Sequence, residues 1–75
     1  MNIQKALSGA ALTVALEGRL DTTTAPKLEE ELRGSVDGVS RLVFDLAKLE
    51  YISSAGLRVL LAMQKLMNQQ GEMVL

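Results

Sequence analysis

The chain has 75 residues, a formal net charge of −1 and 48% apolar residues, which fits one small globular domain rather than a disordered segment. It holds no Cys, no His and no aromatic residue besides Phe44 and Tyr51. Disulfides, thiol chemistry, the usual zinc sets and the commonest general base are thereby excluded, and nucleic acid finds neither a basic footprint nor stacking platforms.

No stretch reaches the ~20 apolar residues that span a bilayer. The opening Met1-Asn2-Ile3-Gln4-Lys5 lacks a signal-peptide pattern. A cytoplasmic protein without membrane insertion is expected. A domain this small buries only about 60% of its unfolded surface, so each apolar face needs a neighbour.

Residues 3–7 alternate loosely and predict a short strand. Ser8-Gly9 supplies a turn, and Leu12, Val14 and Leu16 alternate with Thr13, Ala15 and Glu17 over 11–17, giving a half-buried second strand and a hairpin. Gly18 to Thr24 reads as a polar connection. A helix follows, with Thr23 or Thr24 as N-cap and Pro26 in its first turn. Ala25, Leu28 and Leu32 would face a sheet, Glu29, Glu30 and Glu31 would favour the helix dipole, and Gly34 would end the helix.

Ser35 to Ser40 reads as a loop. The nearly unbroken apolar run Arg41-Leu42-Val43-Phe44-Asp45-Leu46 suits a central strand covered on both faces, and residues 47–52 read as its connection to a second helix. That helix starts at Ser53 or Ser54, runs to about Gln70 and stops at Gly71. Leu57, Leu60 and Leu61 share one side, widened by Val59, Met63, Leu66 and Met67, so it must pack on the sheet. Glu72-Met73-Val74-Leu75 begins a last strand, and a sequence that stops there is expected to be incomplete relative to its natural domain. The order β-β-α-β-α-β implies an α/β fold: an initial antiparallel hairpin, later parallel strands and helices packed on a mixed sheet.

The informative segment is Tyr51-Ile52-Ser53-Ser54-Ala55-Gly56-Leu57-Arg58. It lies between a buried strand and a helix start, where partners of open α/β sheets tend to bind. A Ser in this place is most often only an N-cap, and a Gly only a point of close helix–sheet approach. A nucleophilic serine needs an adjacent base, and Asp21 or Lys48 beside one Ser is not a triad. Asp21, Asp45 and Glu50 are acids of the kind that hold Mg²⁺, but acids scattered over strand ends and turns are ordinarily solvated. Phosphorylation fits better: an exposed hydroxyl at a helix N-terminus can carry a dianion that the dipole favours while one surface patch changes sign.

The run from Tyr51 to Leu61 closely resembles the phosphoacceptor motif of STAS domains. Glu17-Gly18-Arg19-Leu20-Asp21 leading to Thr24-Ala25-Pro26 resembles that family's Gly-x-Leu-Asp segment, and Leu42-Val43-Phe44-Asp45-Leu46 resembles its central strand. The resemblance runs from about residue 12 to the C-terminus and implies a single STAS-like domain over 1–75 without catalytic residues, metal or cofactor. It further implies a bacterial anti-sigma-factor antagonist. Such a protein binds a serine-kinase anti-sigma factor, is inactivated by phosphorylation and is restored by a metal-dependent phosphatase. Ser54 falls at the acceptor position, with Ser53 as the alternate. Asp21, Ser53, Gly56, Leu57 and Arg58 fall at the partner surface. The alternative is a STAS interaction module that is never phosphorylated, serving a transport or sensory assembly.

Three features depart from the family pattern. Ser53 stands where many members have Asp. Arg58 stands where several antagonists have Gly, which makes the face bulkier, more positive and able to pair with a phosphate on Ser54. Family domains normally continue past the strand at Met73-Val74-Leu75, so a bare sheet edge or helix open to self-association is expected here.

Overall fold

Alternating apolar side chains on two adjacent strands build the inner face of a four-stranded sheet. The computed structural model describes residues 1–74 and contains, in order, β1 (Asn2–Ser8), β2 (Ala11–Leu20), α1 (Ala25–Arg33), β3 (Arg41–Ile52), α2 (Ser54–Asn68) and β4 (Glu72–Val74). Leu75, included in the expected last strand, lies outside the described residues. The sheet order is β1-β2-β3-β4. β1 pairs antiparallel to β2, while β2/β3 and β3/β4 are parallel. This is the β-β-α-β-α-β mixed sheet that the pattern predicts.

Leu12, Val14, Leu16 and Leu20 of β2 and Leu42 and Phe44 of β3 form the sheet side of one core. Ala25, Leu28 and Leu32 of α1 and Val59, Leu60, Met63 and Met67 of α2 close it. The expectation of a β3 covered on both faces is corrected. Val43 is only half-buried and Asp45 is exposed, because both helices lie on the Leu42–Phe44 side. The 36–39 loop is tied to this core: Val36 and Val39 are buried, and the Gln70 amide donates to their carbonyls at 2.8 and 2.6 Å.

Strand lengths are the second correction. Residues 47–52 are not a connection and 18–20 are not a loop; both continue the parallel β2/β3 pair. Ala15 faces Asp45 but Glu17 faces Lys48, and Gly18 faces Leu49 but Arg19 faces Tyr51. At each step β3 inserts one extra residue, a bulge that shifts its facing. Asp45 Oδ1 accepts the Ala47 N–H at 3.1 Å across the first. Leu46, Leu49 and Ile52 all still pack against the core, at a spacing that simple alternation does not reveal.

The glutamates of α1 also differ from expectation. No acid lies in its first turn, outside which the dipole effect fades. Glu29 instead pairs with Arg33 and Glu31 with Lys5, each at 2.7 Å. α2 ends at Asn68 with Gln69 as its C-cap, earlier than the stop expected at Gly71; among the described residues only Gly9, Gly18 and Gly38 have positive φ. A Cβ at Gly71 would overlap the Ser40 carbonyl, the group that accepts the Glu72 N–H at 2.9 Å and starts β4.

Candidate functional site at the start of the second helix

β2 and β3 run parallel and end together. Leu20 faces Ile52, and the Leu20 carbonyl accepts the Ser53 N–H at 2.8 Å. Asp21 and Ser53 therefore leave neighbouring strand ends, and the two segments singled out in the sequence converge on one rim.

Ser53 is the N-cap of α2, with extended backbone at φ −93° and ψ 174°. Its Oγ accepts the Gly56 N–H at 3.3 Å, and its carbonyl accepts the Leu57 N–H at 3.0 Å. Ser54 is the first helical residue and is exposed. Its hydroxyl makes no hydrogen bond among the described residues. Gly56 is buried beneath the rim, where an added Cβ would stand 2.6 Å from Leu20 Cγ and 3.0 Å from Ile52 Cγ1.

Leu57 is 50% and Leu61 62% exposed, and Arg58 is exposed as well. Of the three leucines expected to share a packed side, only Leu60 is buried. Ser54, Leu57, Arg58 and Leu61 instead form one outward stripe at i, i+3, i+4 and i+7. Leu61 was not among the residues expected here; its spacing from Ser54 and Leu57 was the available signal. Beside the stripe, Thr22, Ala25, Pro26, Glu29, Ala55, Arg58, Val59 and Ala62 line an open groove between the helices.

Asp21 has a well-defined structural role. Its Oδ1 accepts the Thr23 hydroxyl at 2.7 Å and the Thr23 and Thr24 N–H groups at 3.0 and 3.1 Å. Thr24 Oγ1 in turn accepts the Asp21 N–H at 2.8 Å. The Asp21 carbonyl accepts the Ala25 N–H at 2.8 Å. This is a reciprocal pair of the capping-box kind: Thr24 holds the expected N-cap position, and Asp21 supplies the side-chain acceptor. Thr24 itself, at the N-cap position, makes no side-chain cap bond. The Thr23 hydroxyl, followed by the Thr23 and Thr24 amides, holds the Asp21 carboxyl down from 3.8 to about 2. So weak a base is poorly suited to activate a serine.

A depressed folded-state pKa means that the ionised cap stabilises the fold above the unfolded value of 3.8 and stops doing so as pH falls through about 2. Asp21→Ala is therefore expected to lower Tm by about 5 °C at neutral pH, an ordinary cap loss. That difference from wild type should shrink between about pH 4 and pH 2 in paired thermal melts. A difference independent of pH would contradict the capping role.

Sequence reasoning also missed Arg19, whose guanidinium lies 4.3 Å from the Tyr51 ring centroid. The pairing follows from the Arg19–Tyr51 register, which is invisible while 47–52 is read as a connection. Asp45 faces Ala15, far back along the strands from Asp21, and Lys48 lies 3.9 Å from Glu17; neither joins the serines. Among the described residues, no three His, Cys, Asp or Glu side chains gather as a metal-holding group, and no helix is long and apolar enough to cross a membrane.

Known proteins resemble this chain over most of its length. The family model described as Mlab, STAS domain, matches residues 3–75. A Bordetella bronchiseptica protein named as an anti-sigma factor antagonist, BtrV, is 50% identical over 66 residues, covering 85% of this chain but 57% of that protein. The chain thus spans little more than half the length of this curated relative. An anti-sigma factor antagonist from Mycobacterium paratuberculosis superposes with a TM-score of 0.87 at 28% identity, over 97% of this chain and 64% of that one. SpoIIAA superposes in its unphosphorylated form at 0.84 with 14% identity, over 97% of this chain and 71% of that one. The phosphorylated Bacillus SpoIIAA gives 0.82 at 13% identity, over 99% and 69%. At such identities SpoIIAA speaks to the fold alone. With residues 3–75 matched by the family model, the chain belongs to the STAS-domain family.

Proposed function

We propose that this STAS domain, taken as residues 1–75, binds a serine-kinase anti-sigma factor and is switched off when that kinase phosphorylates Ser54. Asp21, Ser53, Leu57 and Arg58 form the binding rim, with Gly56 setting the backbone beneath it. A protein phosphatase returns the domain to its binding state. The reading implies a cytoplasmic regulator of transcription that takes no cofactor.

The observation that carries this reading is the division of labour between two adjacent serines. Ser53 Oγ is committed to the Gly56 N–H, so a phosphate there would disturb the cap. The Ser54 hydroxyl is exposed and unengaged in the first turn, where a charge of about −1.5 to −2 is favoured by the helix dipole. The name of BtrV and the phosphorylated form of SpoIIAA add support from related proteins. Ser53 in place of the family's usual Asp favours a second reading, a STAS interaction module that is never phosphorylated.

Incubation of the chain with host extract and ATP, followed by intact-mass analysis and peptide mapping, separates them. One phosphoryl group is expected on wild type and on Ser53→Ala, and none on Ser54→Ala. Phosphate retained in Ser54→Ala would overturn the assignment of the acceptor. No added phosphate on any form, in an extract whose kinases are active, would favour the second reading.

A further inference from the structure

Arg58 follows Ser54 by four residues on α2, so the two side chains stand one turn apart on the same exposed stripe. Helical side chains lean toward the N-terminus, which aims Arg58 at the turn that carries Ser54. Among the described residues Arg58 forms no ion pair. The acid that lines the same interhelical groove is engaged: Glu29 is held by Arg33 at 2.7 Å. Other cations are poorly placed. Arg19 lies on the Tyr51 ring at 4.3 Å, and Lys65 is near the opposite end of α2.

We infer that Arg58 is a built-in partner for a phosphate on Ser54, reaching back one turn to hold it against α2. The inference rests on Ser54 being the acceptor. The Gly56 N–H is already taken by Ser53 Oγ at 3.3 Å, which leaves the first turn one backbone donor fewer for the phosphate. The guanidinium offers a planar fork of N–H donors that matches phosphate oxygens two at a time. Three consequences follow: the phosphorylated domain neutralises part of its own new charge, the phosphate is fixed in orientation, and a phosphatase must draw it off Arg58 before hydrolysis. The off state is thereby prolonged by a residue of the domain itself.

The test uses domains synthesised with phosphoserine already at position 54, in the wild-type, Arg58→Gln and Arg58→Lys backgrounds, titrated by ³¹P NMR. The second phosphate ionisation of free phosphoserine falls near pH 6. All three share the helix N-terminus, so differences among them report the side chain at 58. Wild type is expected to ionise at a pH at least about 0.5 lower than Arg58→Gln, with Arg58→Lys between. The wild-type phosphoprotein should also melt a few degrees above the Arg58→Gln phosphoprotein, after subtraction of the same difference between their unphosphorylated forms. Coincident ionisation curves for wild type and Arg58→Gln would overturn the pairing. No kinase takes part in this experiment, so its failure leaves the acceptor assignment untouched, whereas failure of phosphorylation in extract would not touch the pairing chemistry.

Discussion

Ser54→Asp is expected to weaken binding to the proposed partner, a kinase anti-sigma factor, at least tenfold, about 1.4 kcal/mol, while Ser54→Ala retains wild-type affinity. Both substitutions leave the fold intact for identifiable reasons. Ser54 is exposed and its hydroxyl has no partner among the described residues, so Ala leaves no buried polar group unsatisfied. A carboxylate in the first turn of α2 is favoured by the helix dipole. Any loss of affinity in the Asp variant must therefore arise at the interface, where a new anion has to be desolvated or repelled at a cost of several kcal/mol. The neighbouring Leu57, 50% exposed, gives the same surface an apolar component that an added charge would keep wet. Titration calorimetry against the purified kinase reads the difference directly. Equal affinities for the two variants would sink the switch.

Most of the fold was legible because its strongest determinants are local. Leu12, Val14 and Leu16 alternate, Leu28 and Leu32 repeat at helical spacing, and Val59, Met63 and Met67 do the same; all are buried. The errors arose where pairing between strands overrides the local pattern. Two extra residues in β3 break its period of two, so Leu49 and Ile52 no longer look inward-facing although they pack against the core. A run such as Leu42-Val43-Phe44 reads alike whether a strand is covered on one face or both; only the docking of both helices on one side decides it.

For the candidate site, the sequence showed more of which residues converge than of the hydrogen bonds each one makes. Ser53, Ser54 and Gly56 are contiguous in sequence, and their placement follows once the helix start is fixed. Asp21 reaches the same rim only because β2 and β3 end together, with Leu20 and Ser53 hydrogen-bonded at 2.8 Å. That the capping side chain comes from Asp21 rather than from Thr24 at the N-cap depends on the turn between them, which no spacing rule specifies. Arg19 over Tyr51 depends on the second bulge in the same way. Leu61 was grouped with Leu57 and Leu60 on one packing side of the helix; in a two-layer domain only the sheet-facing arc is covered, and Leu61 is 62% exposed.

Gly56 ties this rim to the core, and its replacement is expected to have a large, diagnostic effect. Its backbone is not left-handed, since among the described residues positive φ occurs only at Gly9, Gly18 and Gly38, and Ala is intrinsically preferred to Gly in a helix by about 1 kcal/mol. On backbone grounds Gly56→Ala should stabilise. Space dictates the reverse, because the new Cβ would lie 2.6 and 2.9 Å from Leu20 Cγ and Cδ2, and Leu20 is fully buried. Overpacking of this kind costs about 1–3 kcal/mol. A domain of 75 residues holds only about 4–11 kcal/mol of stability in all, at roughly 0.05–0.15 kcal/mol per residue. Leu20→Ala alone should cost about 3 kcal/mol through the cavity it leaves. In that background the overlapping atoms are absent, so adding Gly56→Ala should be neutral or slightly stabilising. The double-mutant cycle is thus expected to give a coupling of about 2 kcal/mol in urea unfolding. Additive costs would mean that Gly56 is required for something other than the close approach of α2 to the strand end. Strong coupling would mean that the gap left by this glycine sets the separation between the Asp21 strand end and the Ser53–Ser54 helix start, the spacing on which the proposed binding rim depends.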